Sequence, residues 1–358
     1  MFYRQTGDFR SSYQEDSRIF QLRQDRWVMI AILFVAFVII PMTASQYLLS
    51  AILIPFLIFS LAAIGLNILT GFAGQLSLGS AAFMAVGAFA TYNLVLRIEG
   101  FPIILAFFAG GGVAALFGII FGLPSLRIRG FYLAVATLAA QFFIGWCLTK
   151  VGWFTNYSSS GVISAQTITL FGYPLDQPAE KYLITLSIVV FLALLCKNMV
   201  RTNVGRSWMA VRDMDVAAEV IGYRLMHTKL LAFAVSSFYC GVAGALYAYT
   251  YLGTVEPAAF SLDLSFRILF MVIIGGLGSV LGGFLGAAFM VLLPIGLNIV
   301  AHTVGVSTQI ASVLELMIFG ALIIFFLIVE PHGLARLWVV TKEKLRIWPF
   351  PHEKKTSV

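Results

Sequence analysis

The chain has 358 residues; 60% are hydrophobic, only 11% carry a formal charge, and the net charge is +7 at pH 7. Soluble domains carry about 25% charged residues, so a water-surrounded fold could not cover this much apolar surface, and lipid must be the main solvent. The surplus of cations suits a protein seated beside anionic lipid and argues against a nucleic-acid partner.

In chain order, residues 1–26 are polar and carry both signs of charge. The apolar run behind them is too long for a signal-peptide core. They are expected to be a retained cytoplasmic tail, either solvated or an amphipathic surface helix, because Phe9, Tyr13, Phe20 and Trp27 recur at roughly helical intervals. A permease domain is expected over 27–340 and a second cytoplasmic basic tail over 341–358. A helix needs about 20 apolar residues to cross the hydrocarbon core. Runs of that kind fall at 27–45, 47–69, 74–96, 101–123, 131–149, 181–200, 230–252, 264–281, 283–300 and 310–329, so about ten transmembrane helices are expected. Placing the N-terminus inside puts all but four of the 23 Lys and Arg on the cytoplasmic side, Arg127 and Arg129 among them as anchors. Arg97, Lys150, Lys181 and Arg267 remain outside, as the positive-inside rule requires. Both termini are then cytoplasmic. The loops 150–180 and 253–263 lie outside, and 201–229 forms the longest internal cytoplasmic loop.

Two glycine clusters interrupt apolar runs. "GFAGQLSLG" (71–79) and "GGLGSVLGG" (275–283) share an offset that aligns Gly71 with Gly275, Gly74 with Gly278 and Gly79 with Gly283. Glycines of this kind either let helices approach closely or break a helix where protein or water satisfies its backbone. Their shared spacing favours an internal repeat, and interrupted segments in two halves of a chain point to a translocation path. Few polar residues lie inside spans: Asn67, Gln75, Gln141, Asn298 and Glu315. Glu315 is either functional or placed to reach water or a subunit interface. No second buried charge partners it, so an ion-coupled mechanism is disfavoured.

The stretch "VRDMDVAAEVIGYRLMHTKL" (211–230) reads as soluble sequence. Asp213 and Asp215 are good N-caps, and Gly222 can end the short helix in the left-handed conformation. Val216 and Val220 share one face, and small Ala217 and Ala218 would allow close approach of another protein. The alternatives are a docking helix and a plain surface linker. The chain has no phosphate-binding loop, no HExxH, no GxSxG and no paired carboxylates. Its histidines, His227, His302, His332 and His352, fall outside the expected spans, and its three cysteines have neither disulfide nor metal spacing. It is expected to be a non-enzyme with no catalytic residue, no metal and no directly bound cofactor. If ATP drives it, another chain uses the ATP and its Mg.

"NILTGFAGQLSLGSAAFMAVGAFATY" (67–92), "LPSLRIRGFYLAVATLAAQF" (123–142), the stretch 203–249, "MVIIGGLGSVLGGFLGAA" (271–288) and "EPHGLARLW" (330–338) together resemble the permease subunits of branched-chain amino-acid ABC importers, in their LivM-like branch. The resemblance covers about 60–340. It implies an importer-type permease of the bacterial inner membrane, paired with a second permease subunit, two ATPase subunits and a periplasmic solute-binding protein. It also implies that a short cytoplasmic helix, about Asp213 to Gly222, enters a cleft on the ATPase, with Glu219 and Gly222 as its marker residues. The expected coupling set is Arg212, Asp213, Asp215, Ala217, Ala218, Glu219, Gly222 and Arg224. The expected path residues are Asn67, Gln75, Ser77, Ser80, Gln141 and Ser279, whose amides and hydroxyls could hydrogen-bond a zwitterion. The family often has His where Ser80 stands, and a glycine-rich outside loop where this chain reads "TNYSSSG" (155–161). Leucine, isoleucine and valine are the default solutes by family. A stand-alone channel or secondary transporter for a small polar solute is the alternative class.

Overall fold

The computed structural model describes residues 23–125, 132–158, 161–166, 168–170, 173–304, 317–318, 320–322, 324–326, 328 and 333–347. Among them, six helices are long and apolar enough to cross a membrane: Leu48–Phe72, Ile103–Pro124, Leu133–Lys150, Pro178–Arg201, Leu225–Leu252 and Val280–Ile299. Trp27–Thr43 is a shorter apolar helix. The expected span at 310–329 lies largely outside the described residues, as do Glu315, Arg127, Arg129 and the terminal segments 1–22 and 348–358.

The helices are α1 (Arg23–Phe34), α2 (Ile54–Asn67), α3 (Ser80–Arg97), α4 (Ile103–Ser125), α5 (Tyr132–Lys150), α6 (Pro178–Arg201), α7 (Asn203–Asp213), α8 (Asp215–Val220), α9 (Leu225–Leu246), α10 (Leu262–Gly275), α11 (Val280–Val304) and α12 (Gly333–Ile347). π-helical turns extend several of them. Two, Val35–Ile39 and Leu48–Leu53, sit directly before the four-residue helix Ile40–Thr43 and before α2, which carry Pro41 and Pro55 in their first turns. Proline has no N–H for the ordinary i→i−4 bond, and a widened turn absorbs the lost bond.

Helix α9 sits at the centre and packs against α4, α3 and α2. Lipid supplies no hydrophobic force between helices, so small residues must bring the backbones together. At the α3–α9 crossing, a side chain on Gly87 would collide with the backbone of Gly241. Aromatic rings fill the space beside it: Phe83 meets Phe233 edge to face, with centroids 5.6 Å apart. Tyr239 donates from its hydroxyl to the Leu192 carbonyl at 2.9 Å and so fastens α6 to α9.

One end of the bundle is closed by the two loops expected to lie outside. Strands β1 (Ile163–Ser164) and β4 (Thr254–Val255) pair antiparallel, Ile163 opposite Val255. A second small ladder joins β2 (Thr169–Leu170) to β3 (Tyr173–Pro174). Arg97, at the end of α3, lies 4.1 Å over the Trp153 ring and donates to the Trp153 carbonyl at 3.1 Å.

The opposite end is where the structure departs from the expected spans. The run at 74–96 is not one helix: residues 73–79 are non-helical and α3 starts only at Ser80. Likewise α10 stops at Gly275, and Gly276 and Gly278 take positive φ of 116° and 73° before α11 begins. Hydropathy finds both apolar runs, but non-helical backbone with left-handed angles that favour glycine, at Gly74, Gly276 and Gly278, divides them.

Candidate functional site

The site is a junction of the two glycine breaks with the segment 203–224. Residues 73–79 connect the end of α2 to the start of α3. That start does not lie at the bundle end. The Ser265 hydroxyl, near the beginning of α10, accepts the Ala81 N–H at 2.9 Å, whereas the far end of α10 reaches the other break. The stretch of α10 from Ser265 to Gly275 is about 15 Å of helix. The seven non-helical residues of the break bridge the two ends, turning at Gly74, whose φ is 68°.

Non-helical backbone is tolerated inside a membrane protein only where protein satisfies it. Here side chains from other helices do so. The Thr137 hydroxyl accepts the Leu78 N–H at 2.9 Å, and the Gln141 carbonyl oxygen accepts the Ala82 N–H at 2.6 Å. The Gln141 amide donates in turn to the Phe260 carbonyl at 2.9 Å. Ser77 accepts its near neighbour Gly79 N–H at 3.3 Å. Two of the orphan N–H groups at the start of α3, those of Ala81 and Ala82, therefore have partners. Asn67 binds the second break through both ends of its amide, accepting from Gly278 N–H at 2.9 Å and donating to the Ser279 carbonyl at 2.8 Å.

The glycines fit this packing. A side chain on Gly71 would collide with Asn67 Oδ1 and Gly278 N. Gly74 and Gly278, aligned in the sequence, both take left-handed φ, 68° and 73°. A Cβ on Gly79 would lie 2.8 Å from the Thr137 carbonyl oxygen, and one on Gly283 would lie 2.9 Å from Ile64 Cγ1. Gly275 faces the Gly282 carbonyl where α10 and α11 approach. Two expected path residues, Gln75 and Ser80, are buried with side-chain polar atoms that have no hydrogen-bond partner among the described residues. Gln75 is 5% exposed and both ends of its amide are unmatched. Ser279 accepts the Gly282 N–H at 3.2 Å through its hydroxyl.

The segment 203–224 is bolted to this junction. Trp208 on α7 is fully buried, and its indole N–H donates to the Thr228 carbonyl at 3.2 Å. Arg212 Nη1 donates to the Gly71 carbonyl at 2.8 Å, and Asp213 holds the same guanidinium at 2.8 Å. Asp213 ends α7 and does not cap α8. Asp215 is the first residue of α8, where its carboxylate accepts the Val216 N–H at 2.9 Å. The C-terminus of α8 is a Schellman turn: Tyr223 N–H donates to the Ala218 carbonyl and Gly222 N–H to the Glu219 carbonyl, both at 3.0 Å, with Gly222 at φ 105°. Ala218 is buried against the chain and Ala217 is exposed. The outward face carries Met214, Val216 (69% exposed), Val220 (84%) and Ile221 (77%), with Glu219 and Arg224 exposed beside them.

Thr137, Ser265, Trp208 and Gly333 were not found by sequence reasoning. A side chain on Gly333, at the start of α12, would lie 2.6 Å from Gly276 N and Cα, so α12 rests on the second break. Gly333 lies in a motif that the resemblance had drawn attention to, but nothing local gave its neighbour. Among the described residues no three His, Cys, Asp or Glu side chains gather as a metal site. At this junction a base fixed by Trp208, Arg212 and Ala218 presents the exposed apolar face of α8.

Comparison with known proteins follows this geometry. The family model described as "Branched-chain amino acid transport system / permease component" matches residues 48–327. The chain is 29% identical over 301 residues to the high-affinity branched-chain amino acid transport system permease protein LivM of Salmonella typhimurium, covering 78% of this chain and 68% of that protein. The LivM of Escherichia coli K12 gives the same figures. A probable branched-chain amino acid transport permease protein LivM of Methanocaldococcus jannaschii is 24% identical over 326 residues, covering 80% and 93%. No solved structure matches the chain.

Proposed function

The chain belongs to the family of permease components of branched-chain amino acid transport systems, and from that membership we propose how its parts divide the work of import. It is a multi-pass membrane protein and the non-catalytic permease subunit of a branched-chain amino acid ABC importer, a class that acts with an ATPase and a solute-binding protein. In our reading it pairs with a second permease subunit and two ATPase subunits in the bacterial inner membrane. Both termini and segment 203–224 face the cytoplasm, and the β1–β4 end faces the periplasmic binding protein. ATP and Mg belong to the ATPase subunits, and this chain binds no cofactor itself.

The observation that carries the docking assignment is the contrast between the two faces of segment 203–224. One face is fixed by Trp208, Arg212 and Ala218; the other leaves Val216, Val220 and Ile221 in water. Burying one Val or Ile side chain gains about 1.5–3 kcal/mol, so three of them beside Glu219 make a compact anchor for an ATPase cleft. When ATP draws the two ATPase subunits together, α8 is pushed, the fixed base moves with it, and the glycine breaks yield. The cavity between the two permeases then changes the side it faces. Buried Gln75 and Ser80, whose side-chain polar atoms lack partners among the described residues, are available to hydrogen-bond the passing amino acid.

Leucine uptake into proteoliposomes holding the four membrane-associated subunits, with binding protein outside and ATP inside, tests this reading. Glu219→Lys and Gly222→Val should insert normally, lose co-purifying ATPase and take up leucine at about a tenth of the normal rate or less. Unchanged uptake in both variants would overturn the placement of the contact. Leucine movement through this chain alone, without nucleotide, would overturn the coupling of this chain to an ATPase.

A further inference from the structure

Arg212 lies in the docking segment, yet its side chain turns away from the exposed face of α8. Three observations fix its direction. Nη1 donates to the Gly71 carbonyl, 141 residues away in sequence, at 2.8 Å. A Cβ on Gly74 would lie 2.8 Å from Arg212 Cγ, and one on Gly278 would lie 3.3 Å from Nη1, so the side chain lies against both breaks. On its other edge, Nε and Nη2 both meet Asp213 Oδ1 at 2.8 Å, which orients the fork. The Gly71 carbonyl closes the last turn of the span Leu48–Phe72. Carbonyls there lack helical partners and lie at the negative end of the helix dipole, which favours a cation. The connection continues: one turn before Gly71, Asn67 holds Gly278 and Ser279 of the second break. Trp208, by contrast, donates its indole N–H to the Thr228 carbonyl of α9.

We infer that Arg212 is a positioning residue that transmits displacement of the docking segment to both glycine breaks at once, through Gly71 to the first and through Asn67 to the second. This rests on the reading of α8 as the ATPase contact and assigns Arg212 a different part from its neighbours: Glu219 and Gly222 serve binding, and Arg212 serves transmission. Guanidinium geometry is required, because one edge must reach a carbonyl while the other is held by a carboxylate; a lysine ammonium on its flexible stem cannot do both in fixed geometry.

The test uses the complete reconstituted complex with Arg212→Lys and Arg212→Gln, measuring co-purified ATPase, thermal midpoint, and leucine imported per ATP hydrolysed. Both variants should retain ATPase at the normal ratio. Leucine per ATP should fall about tenfold or more in Arg212→Gln and less in Arg212→Lys, a size typical of coupling between sites. Adding Asn67→Ala to Arg212→Gln should lower the ratio no further, since both cut one connection. An unchanged ratio in Arg212→Gln overturns the inference. So does loss of ATPase in step with uptake, which would make Arg212 part of the docking contact. A lowered midpoint with hydrolysis and uptake falling together at constant ratio would reduce Arg212 to a structural role and overturn it too. Failure of the underlying reading is seen separately, in the unsubstituted complex, as uptake that does not depend on ATP or an ATPase that does not co-purify.

Discussion

The two glycine breaks share a glycine spacing but are supported in different ways. The first is seven residues long, 73–79, and remote side chains take backbone N–H groups along it and into α3: Thr137 that of Leu78 in the break, and Ser265 and Gln141 those of Ala81 and Ala82 in the first turn of α3. The second turns within 276–279 and is held by Asn67 and the hydroxyl of Ser279. A long break in a low-dielectric interior exposes more peptide groups than local turns can match, so it borrows donors and acceptors from other helices. A short break at a bundle end needs little beyond left-handed glycines and one amide. The first break is therefore expected to be the sensitive one, and its sensitivity should extend to α5.

The largest expected effect is at the contact between the breaks. Gly71→Ala would drive a methyl group into Asn67 and the Gly278 backbone, neither of which has room to retreat. It should destabilise by about 3 kcal/mol or more, seen as lost yield or a much lower thermal midpoint in detergent. Next is Gln141→Leu, which leaves the Ala82 N–H and the Phe260 carbonyl without their partner and should cost about 2–3 kcal/mol. If both Gln141→Leu and Thr137→Val prove neutral, the first break is not supported from α5, and the contrast between the breaks collapses. Thr137→Val removes one hydrogen bond to Leu78 and should cost about 1 kcal/mol, near the usual value for a single bond within a membrane. At the bottom of the scale, Gly112→Ala on α4, where a Cβ meets nothing within 4 Å, should change stability by no more than about 0.5 kcal/mol. Equal effects at Gly71 and Gly112 would mean that the junction has no special packing.

Much of this could be read from residues alone. The apolar runs gave the spanning helices, and the glycine clusters marked the places where helices stop. Gly222 was recognisable as a helix terminator, and the outward Val216 and Val220 followed from helical spacing. The expected path residues illustrate the limit. Polarity picked out Asn67 and Gln141, but both amides are engaged with backbone of this chain, whereas Gln75 and Ser80, equally visible in sequence, have side-chain atoms without partners among the described residues. Hydropathy registers that a polar group is buried and not whether a carbonyl or an N–H is waiting beside it. Asp213 and Asp215 were both misjudged as caps for a related reason: the residue before α8 is Met214, whose extended backbone separates α7 from α8, so Asp213 ends the one helix and Asp215 is the first residue of the other.

The sequence by itself determined which helices are long and apolar enough to cross a membrane, where helices break and which short helix leaves its apolar face exposed, because hydropathy, charge and the permitted φ of glycine act over one or two turns of chain. The tertiary structure alone decided that the two breaks meet, that Arg212 faces them, and that Thr137 and Gln141 support α3. Those outcomes rest on hydrogen bonds between groups 59 to 212 residues apart. No local rule selects among distant partners; that choice is made when the helices pack and every buried peptide group must find its match.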